Sequence, residues 1–311
     1  MGRISMRKDF LSLFDWTKEE LDELLAYAQK LKRGQKKGTF RPSLSGKTIG
    51  MIFDKPSTRT RVSFEAGMAQ LGGQSIFLSA GDLQLTRGET IADTARVMSR
   101  YVDGVVIRTF SHKMVEDFAA HAQIAVINGL TDLLHPCQIL SDVFTISEKR
   151  DHYENLSIVY VGDGNNVANS WINAASRLGF ALTLACPREF QPNKGILARA
   201  LQEGGSRIRL IENPREAVRG ADVVYTDVWA SMGQERESKK RAEVFEPFQI
   251  NQELLKGAGK DVLVMHCLPA HRGEEITDEV IDGPHSIVWD QAENRLHVQK
   301  AILERLLKQK P

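Results

Sequence analysis

A run of five polar residues carries the clearest chemical signal in this sequence. It reads Ser57-Thr58-Arg59-Thr60-Arg61 and follows an apolar stretch at 48–53. If a helix begins here, the hydroxyls and unpaired N–H groups of its first turn point at one spot, and the helix dipole adds partial positive charge there. Arginine side chains add forked donors that match phosphate oxygens. We therefore predict a phosphate site at 57–61; the alternative is that Ser57 is only an N-cap and both arginines are solvated.

Three further residues could act on a carbonyl group held beside such a phosphate. Arg108 follows a predicted strand at 105–107, and His135 and Gln138 open the helix after a predicted strand at 125–127. A guanidinium, an imidazole N–H and an amide can all donate to an oxygen that gains negative charge during nucleophilic attack. The alternative is that the His-Pro pair at 135–136 is purely structural.

Alternating strand and helix patterns must position these residues. Predicted strands lie at 48–53, 75–78, 105–107 and 125–127, and a second series lies at 156–161, 181–185, 208–211, 223–226, 262–265 and 287–289. Strands that alternate with helices predict parallel sheets covered on both faces. The fold class is therefore α/β, with two doubly wound parallel-sheet domains and the ligand cleft between them.

The chain length supports two domains, since 311 residues exceed the size at which a single core usually divides. We predict a first domain at 1–148 and a second at 149–290. The last helix, within 291–311, follows the second series of strands and could pack back on the first domain.

Composition limits the partners and the compartment. The formal net charge is +1, so nothing indicates a surface for nucleic acid, and no apolar run approaches membrane-spanning length. The three cysteines, Cys137, Cys186 and Cys267, lack metal-ligand spacing and fit a reducing compartment. We expect a cytoplasmic protein that binds small molecules and no metal.

The polar residues after the predicted strands resemble a known family, the aspartate and ornithine carbamoyltransferases. The run at 57–61, Arg108 and the His135-Pro136-Cys137-Gln138 segment match its first domain. The second half resembles the ornithine branch at 163–166, at 227–233 and at 266–273, which reads His266-Cys267-Leu268-Pro269-Ala270-His271-Arg272-Gly273. The aspartate branch is expected to have His-Pro-Leu-Pro-Arg at the last of these segments and a lysine in the loop that holds Gln84, where this chain has Arg87.

The resemblance implies roles for individual residues. Carbamoyl phosphate is expected to contact Ser57, Thr58, Arg59, Thr60, Gln84, Arg108, His135, Pro136, Cys137, Gln138, Cys267, Leu268 and Arg295. Ornithine is expected to contact Asn166, Asp227, Ser231 and Met232, with Asp227 taking the α-ammonium group. The residues expected to carry the reaction are Arg108, His135, Gln138, Asp227 and Cys267. Three of these residues have alternatives without a role in the reaction: Cys267 as a buried small hydrophobe, Gln84 as part of a polar loop, and Arg295 as a solvated side chain.

The implied activity is transfer of a carbamoyl group from carbamoyl phosphate to the δ-amine of ornithine, without a cofactor. The family implies a homotrimer or a multiple of trimers, in which Gln84 reaches the site of a neighbouring subunit. A related amine, putrescine or an acylated ornithine, remains an alternative substrate. A nucleotide-dependent oxidoreductase is disfavoured, because the segment at 162–164 lacks the third glycine of a dinucleotide fingerprint and the next strand lacks the acidic residue. Residues 239–241 are predicted to form a solvated loop end.

Overall fold

The computed structural model describes residues 9–39, 42–79, 81, 83–84, 88–203, 207–230 and 238–308, with the side chains of 238–240 left out. The chain divides into two compact units. Unit 1 comprises 1–141 together with 295–311, and unit 2 comprises 142–294. Among the described residues, no helix combines the length and apolar content that crossing a membrane requires.

Unit 1 is built from alternating strands and helices. In chain order these elements are α1 (Lys18–Lys36), β1 (Thr48–Phe53), α2 (Thr58–Gln70), β2 (Gln74–Ser79), α3 (Ile91–Tyr101), β3 (Gly104–Arg108), α4 (His112–His121), β4 (Ala125–Leu130) and α5 (Pro136–Arg150). Helix α5 runs past the division between the units and ends at Arg150.

The sheet of unit 1 is parallel, with strand order β2-β1-β3-β4. Residues Ile52, Val105, Ile107 and Val126 in its strands are buried and pack with Phe118 of α4. The chain winds outward from β1 to β2 and then returns to the other side through β3. The order therefore reverses between β1 and β3, and ligands of open α/β sheets bind at the carboxyl ends of the strands at such a point.

Unit 2 repeats this plan with more strands. Its elements are β5 (Ser157–Val161), α6 (Asn166–Leu178), β6 (Ala181–Ala185), α7 (Lys194–Gln202), β7 (Ile208–Leu210), α8 (Pro214–Ala217), β8 (Val223–Thr226), α9 (Ser238–Phe245), α10 (Gln252–Leu255), β9 (Leu263–His266), α11 (Asp278–Ile281) and the start of α12 (Val288–Leu307). The parallel order is β7-β6-β5-β8-β9, which reverses between β5 and β8.

The predicted strand at 287–289 is wrong. Ile287 donates its N–H to the carbonyl of Val264, 3.0 Å away, but helix α12 begins at Val288. Trp289 is 61% exposed on the first turn of that helix. The other nine predicted strands correspond to β1 through β9, so the sequence predicts both sheets and misplaces one helix start.

Candidate functional site

The first candidate site lies where β1 leads into α2. Ser57 is the N-cap of α2, and its side chain accepts a hydrogen bond from the Thr60 N–H at 3.2 Å. By helix geometry, the N–H groups of Thr58 and Arg59 have no partner within the helix. Thr60 is buried, Ser57 and Arg59 are half-buried, and Thr58 is exposed. Capping and anion binding are therefore compatible here, because Ser57 engages only one of the amides in the first turn.

Helix α12 contributes a buried arginine to the same place in unit 1. Arg295 donates from one guanidinium nitrogen to Oε1 of Gln138 and from the other to Oγ1 of Thr60, the latter at 3.1 Å. All three side chains are buried. These hydrogen bonds connect α2, α5 and α12. They bring together three residues that the resemblance predicts to contact carbamoyl phosphate.

Arg108 adds positive charge to this site, and His135 lies close enough to feel it. Arg108 is the last residue of β3, beside β1, and it is buried, as is His135. Burial lowers the pKa of His135 well below its ordinary value, and the charges of Arg295, Arg108 and Arg59 lower it further. His135 is therefore a neutral imidazole near pH 7, which can donate one hydrogen bond without adding positive charge.

Other members of the predicted set lie around this centre with different surroundings. Arg61 pairs with Glu65 at 2.9 Å, and its guanidinium lies 3.7 Å from the ring centroid of Phe77, so this arginine is already engaged along α2. The Cys137 thiol donates to the Asn128 carbonyl at 3.4 Å, and burial raises its pKa to about 12. Gln84 is exposed.

The second candidate site is a cluster of acceptors at the carboxyl edge of the sheet in unit 2. Asp227 follows β8 and is buried. Its carboxylate accepts from Asn165 Nδ2 at 2.7 Å, from the Val228 N–H at 2.8 Å and from the Cys267 thiol at 2.9 Å. Asn165 is also the N-cap of α6, since its Oδ1 accepts from two amides of the first turn. These bonds fix the orientation of a buried carboxylate.

A second buried acid, Asp163, lies after β5, the neighbouring strand. It forms an ion pair with Arg241 of α9, whose Nε donates to the Trp229 carbonyl at 2.6 Å. Burial raises the pKa of Asp163 to about 7, with Arg241 opposing the shift and Asp227 adding to it. The prediction of a solvated loop end at 239–241 is therefore wrong for Arg241, which is buried and paired.

Cys267 and Leu268 directly follow β9 in the chain. Burial raises the pKa of the Cys267 thiol well above its ordinary value, and the negative charge of Asp227 raises it further, so the thiol remains protonated. The Leu268 N–H donates to Nδ1 of His266 at 2.8 Å, and Nε2 of His266 lies 2.9 Å from Oε1 of the buried Glu275. Cys267 in this state is a hydrogen-bond donor and not a thiolate nucleophile.

Besides Asp227, one of the predicted ornithine contacts lies among the described residues. Asn166 is the first residue of α6 and half-buried, directly after the N-cap Asn165. Ser231 and Met232 lie outside the described residues, and so does Arg87.

Within the part of the chain that the structure describes, two groups of side chains have metal-binding atoms close enough for one ion. The ligand atoms of Asp227, His266 and Cys267 lie within 4.8 Å of one another, and so do those of His271, Glu274 and Glu275. In the first group, the thiol donates to the carboxylate and both imidazole nitrogens have partners. A metal ion there would displace those hydrogen bonds.

Comparison with known proteins covers nearly the whole chain. Residues 8–148 match the family description "Aspartate/ornithine carbamoyltransferase, carbamoyl-P binding domain", and residues 154–306 match "Aspartate/ornithine carbamoyltransferase, Asp/Orn binding domain". The chain belongs to the aspartate/ornithine carbamoyltransferase family. The boundary between the two matched segments lies near the division of the structure into units.

Individual relatives within this carbamoyltransferase family are close. A protein of Syntrophus aciditrophicus named ornithine carbamoyltransferase is 63% identical over 302 residues, which are 97% of this chain and all of the relative. The structure of an ornithine carbamoyltransferase from Pyrococcus furiosus aligns with a TM-score of 0.95 and 52% identity over the full length of both chains. An anabolic ornithine carbamoyltransferase from Campylobacter jejuni aligns with a TM-score of 0.92 and 40% identity, covering 98% of this chain and 100% of that one.

Two residues of this carbamoyltransferase chain have roles that the sequence did not specify. Asn165 caps α6 and also donates a hydrogen bond to Asp227. An asparagine just before a helix predicts the cap, but the sequence does not predict the bond to Asp227, which lies 62 residues away. Arg241 has no local signal, because its partner Asp163 lies 78 residues away.

Proposed function

We propose that this protein is an ornithine carbamoyltransferase, which transfers the carbamoyl group of carbamoyl phosphate to the δ-amine of L-ornithine and releases L-citrulline and phosphate. The observation that carries the proposal is a contrast in charge. The reversal point of one sheet is lined with cations and donors, including Arg59, Arg108 and Arg295, while that of the other is lined with the buried acids Asp163 and Asp227. An anionic acyl donor suits the first site and a diamino acid suits the second.

Carbamoyl phosphate would bind with its phosphate at the start of α2. The first-turn amides, the hydroxyls of Ser57, Thr58 and Thr60, and the Arg59 guanidinium supply the donors. Arg108, the neutral His135 and Gln138 would then surround the carbonyl oxygen. Arg295 supports this arrangement because it is bonded to both Gln138 and Thr60.

Ornithine would bind through its α-ammonium group at Asp227. The bonds from Asn165 and Cys267 hold this carboxylate in one orientation, which favours a fixed position for the amino acid. Asn166, Ser231 and Met232 are proposed as the remaining contacts of the amino acid. The protonated Cys267 would border the reacting amine as a hydrogen-bond donor, with no covalent intermediate.

The reaction requires that the δ-amine be neutral when it attacks. An alkylamine has a pKa of roughly 10, so the site must favour its deprotonated form. The amine attacks the carbonyl carbon, the tetrahedral species places negative charge on oxygen beside Arg108 and His135, and the C–O bond to phosphate breaks. We propose that the departing phosphate accepts the amine proton. No electrons are transferred, so the balanced reaction needs no redox cofactor.

We further propose a homotrimer, or a multiple of trimers, in which the exposed Gln84 reaches the carbamoyl phosphate of a neighbouring subunit. The proposal places the enzyme in the cytoplasm and in arginine metabolism. Sedimentation analysis of the purified chain tests the assembly, and a chain that remains monomeric at assay concentration contradicts it.

The deciding experiment is an assay of citrulline formation from carbamoyl phosphate and L-ornithine. We expect turnover with ornithine and far less with putrescine or an acylated ornithine, because neither offers a free α-ammonium group beside an α-carboxylate. The Arg59→Ala variant serves as the control for contaminating activity. Preferential turnover of either competing amine would show that the substrate assignment is wrong.

A further inference from the structure

A cavity of about 150 Å³ lies in unit 1 among α1, the end of α2 and α12. Its walls include Tyr27, Gln35, Gln70, Leu71 and Lys300. Helix α2 begins at the phosphate site and ends at Gln70, 13 residues later, so the two ends are about 20 Å apart at 1.5 Å per residue. The cavity is therefore separate from the site proposed for carbamoyl phosphate.

Lys300 is the unusual member of this wall. The residue is only 3% exposed, and its Nζ donates to Gln35 Oε1 at 2.6 Å and to Gln70 Oε1 at 2.8 Å. Both acceptors are neutral amide oxygens. A neutral amine has two N–H bonds, so these two acceptors satisfy them and leave the nitrogen lone pair available. Two acceptors are therefore compatible with the neutral, nucleophilic form of lysine, whereas an ammonium group has a third N–H that needs a further partner.

Among the described residues, both acidic and basic side chains lie near Lys300. Glu304, one turn further along α12, favours the ammonium form, but its carboxylate also accepts from Tyr27, Ser43 and Lys308. Lys30 of α1 is a second cation in the wall, whereas Gln70 and Leu71 at the end of α2 carry no charge. Burial outweighs the attraction of Glu304 and lowers the pKa of Lys300 to about 8.

We propose that Lys300 is a modification site for small neutral electrophiles of the isocyanic acid class, which enter the cavity and carbamoylate its side chain. The Nζ lone pair attacks the carbon of H–N=C=O and forms a new N–C bond. The electron pair of the C=N bond moves to the isocyanic nitrogen, which takes a proton from Nζ. The product is a carbamoyl-lysine, and no group leaves.

The proposed function supplies a source of this reagent, and this step alone rests on it. Carbamoyl phosphate fragments to phosphate and isocyanic acid, so a protein that binds carbamoyl phosphate is exposed to the electrophile. The reagent has only three heavy atoms and fits a cavity of about 150 Å³. Modification converts a basic side chain into a neutral urea beside Gln35 and Gln70.

The test treats the intact protein with potassium cyanate at pH 7 and follows each lysine by peptide mass spectrometry. At a pKa of about 8, roughly one-tenth of the amine is neutral at pH 7, against roughly 0.04% at the ordinary lysine value of about 10.4. The weaker base is also a weaker nucleophile, so we expect Lys300 to react about tenfold faster than the exposed reference Lys256, which lies outside the cavity wall. A rate at Lys300 no greater than that of Lys256 overturns the proposal.

Two variants sharpen this test. Gln35→Glu places a carboxylate beside Lys300 without changing the size of the side chain, and we expect it to slow the reaction at Lys300 about tenfold while leaving Lys256 unchanged. An unchanged rate at Lys300 contradicts the account. In Lys300→Arg, which keeps the charge, carbamoylation at position 300 must disappear while Lys256 reacts as before.

A parallel incubation with carbamoyl phosphate tests the source of the reagent. Lys300 should be modified at the rate expected from the cyanate that accumulates, and modification by cyanate alone would show the source to be wrong. The cyanate experiment requires no turnover, so failure of the citrulline assay and failure at Lys300 are separate results.

Discussion

The two units place their polar residues at the same point of the fold but surround them with opposite charge. In unit 1, burial lowers the pKa of His135, and the charges of Arg295 and Arg108 lower it further, so the site favours loss of a proton from its titratable side chain. In unit 2, burial and Asp227 raise the pKa of Asp163, so that site favours gain of a proton. The reversal of strand order fixes where a ligand binds, and the charge of the buried side chains decides which ligand it is.

The largest predicted effect tests the cationic half of this comparison. Arg59→Ala removes a guanidinium from the first turn of α2, and we expect kcat/KM for carbamoyl phosphate to fall by about 10³. Arg61→Ala is the matched control, because Arg61 is paired with Glu65 and lies over Phe77, and it should change this value less than about threefold. Steady-state kinetics on both variants would contradict the assignment if their losses were equal.

The second prediction tests the anionic half. Asp227→Asn keeps the shape of the side chain but removes the charge that holds an ammonium group, and we expect kcat/KM for ornithine to fall by about 10², mainly through KM. Binding of carbamoyl phosphate, followed by thermal shift, should be unchanged. Loss of kcat with ornithine binding intact would instead identify Asp227 as a base and contradict phosphate as the proton acceptor.

Asn165→Ala is the milder version of the same test. Asn165 donates to Asp227 and also caps α6, so alanine loosens the carboxylate without removing its charge. We expect a rise in the ornithine KM of about tenfold and a fall in the free energy of unfolding of about 1 kcal/mol for the lost cap. A fall in stability with an unchanged KM would limit Asn165 to the capping role.

The sequence predicts those features of both units that are encoded by neighbouring residues. The run at 57–61, the last residue of β3 and the residues after β8 and β9 are local signals, because each stands at the end of an apolar run and parallel strands bring their carboxyl ends to one edge. The sequence therefore predicts both sheets and the positions of Arg108, Asp227 and Cys267 along them. Their roles in binding come from resemblance and remain predictions.

Local sequence patterns do not predict features that depend on partners distant in the chain. Residues 239–241 have the composition of a solvated segment, yet Arg241 is buried because Asp163 supplies an ion pair and the Trp229 carbonyl accepts from Nε. The segment at 287–289 has the composition of a strand, yet only the Ile287 N–H joins β9 before α12 begins. In both segments tertiary contacts override local preference.

A smaller effect is expected from Cys267→Ser. Its hydroxyl can still donate to Asp227, and the native thiol is protonated because burial and Asp227 raise its pKa. We therefore expect kcat/KM for ornithine to fall by less than about tenfold, with a larger loss in Cys267→Ala, which cannot donate. Complete loss of turnover in the serine variant would indicate a thiolate mechanism, since serine ionises far less readily than cysteine.

The smallest predicted effect concerns the pH dependence of stability in unit 1. The pKa of His135 is lower in the folded protein than in the unfolded chain, where it is about 6.5, so the unfolded chain binds the proton more readily. The folded state should therefore lose stability as pH falls below about 6.5, by up to about 1.4 kcal/mol per pH unit from this residue, and gain nothing above it. His135→Gln removes this dependence, while His121→Gln, on an exposed side chain, should not.

Urea unfolding of all three proteins at pH 7.5 and 5.5 measures the difference. If wild type and His135→Gln lose stability equally between these pH values, burial and the neighbouring arginines together do not lower the pKa of His135, and the electrostatic contrast between the two units is weaker than their geometry indicates.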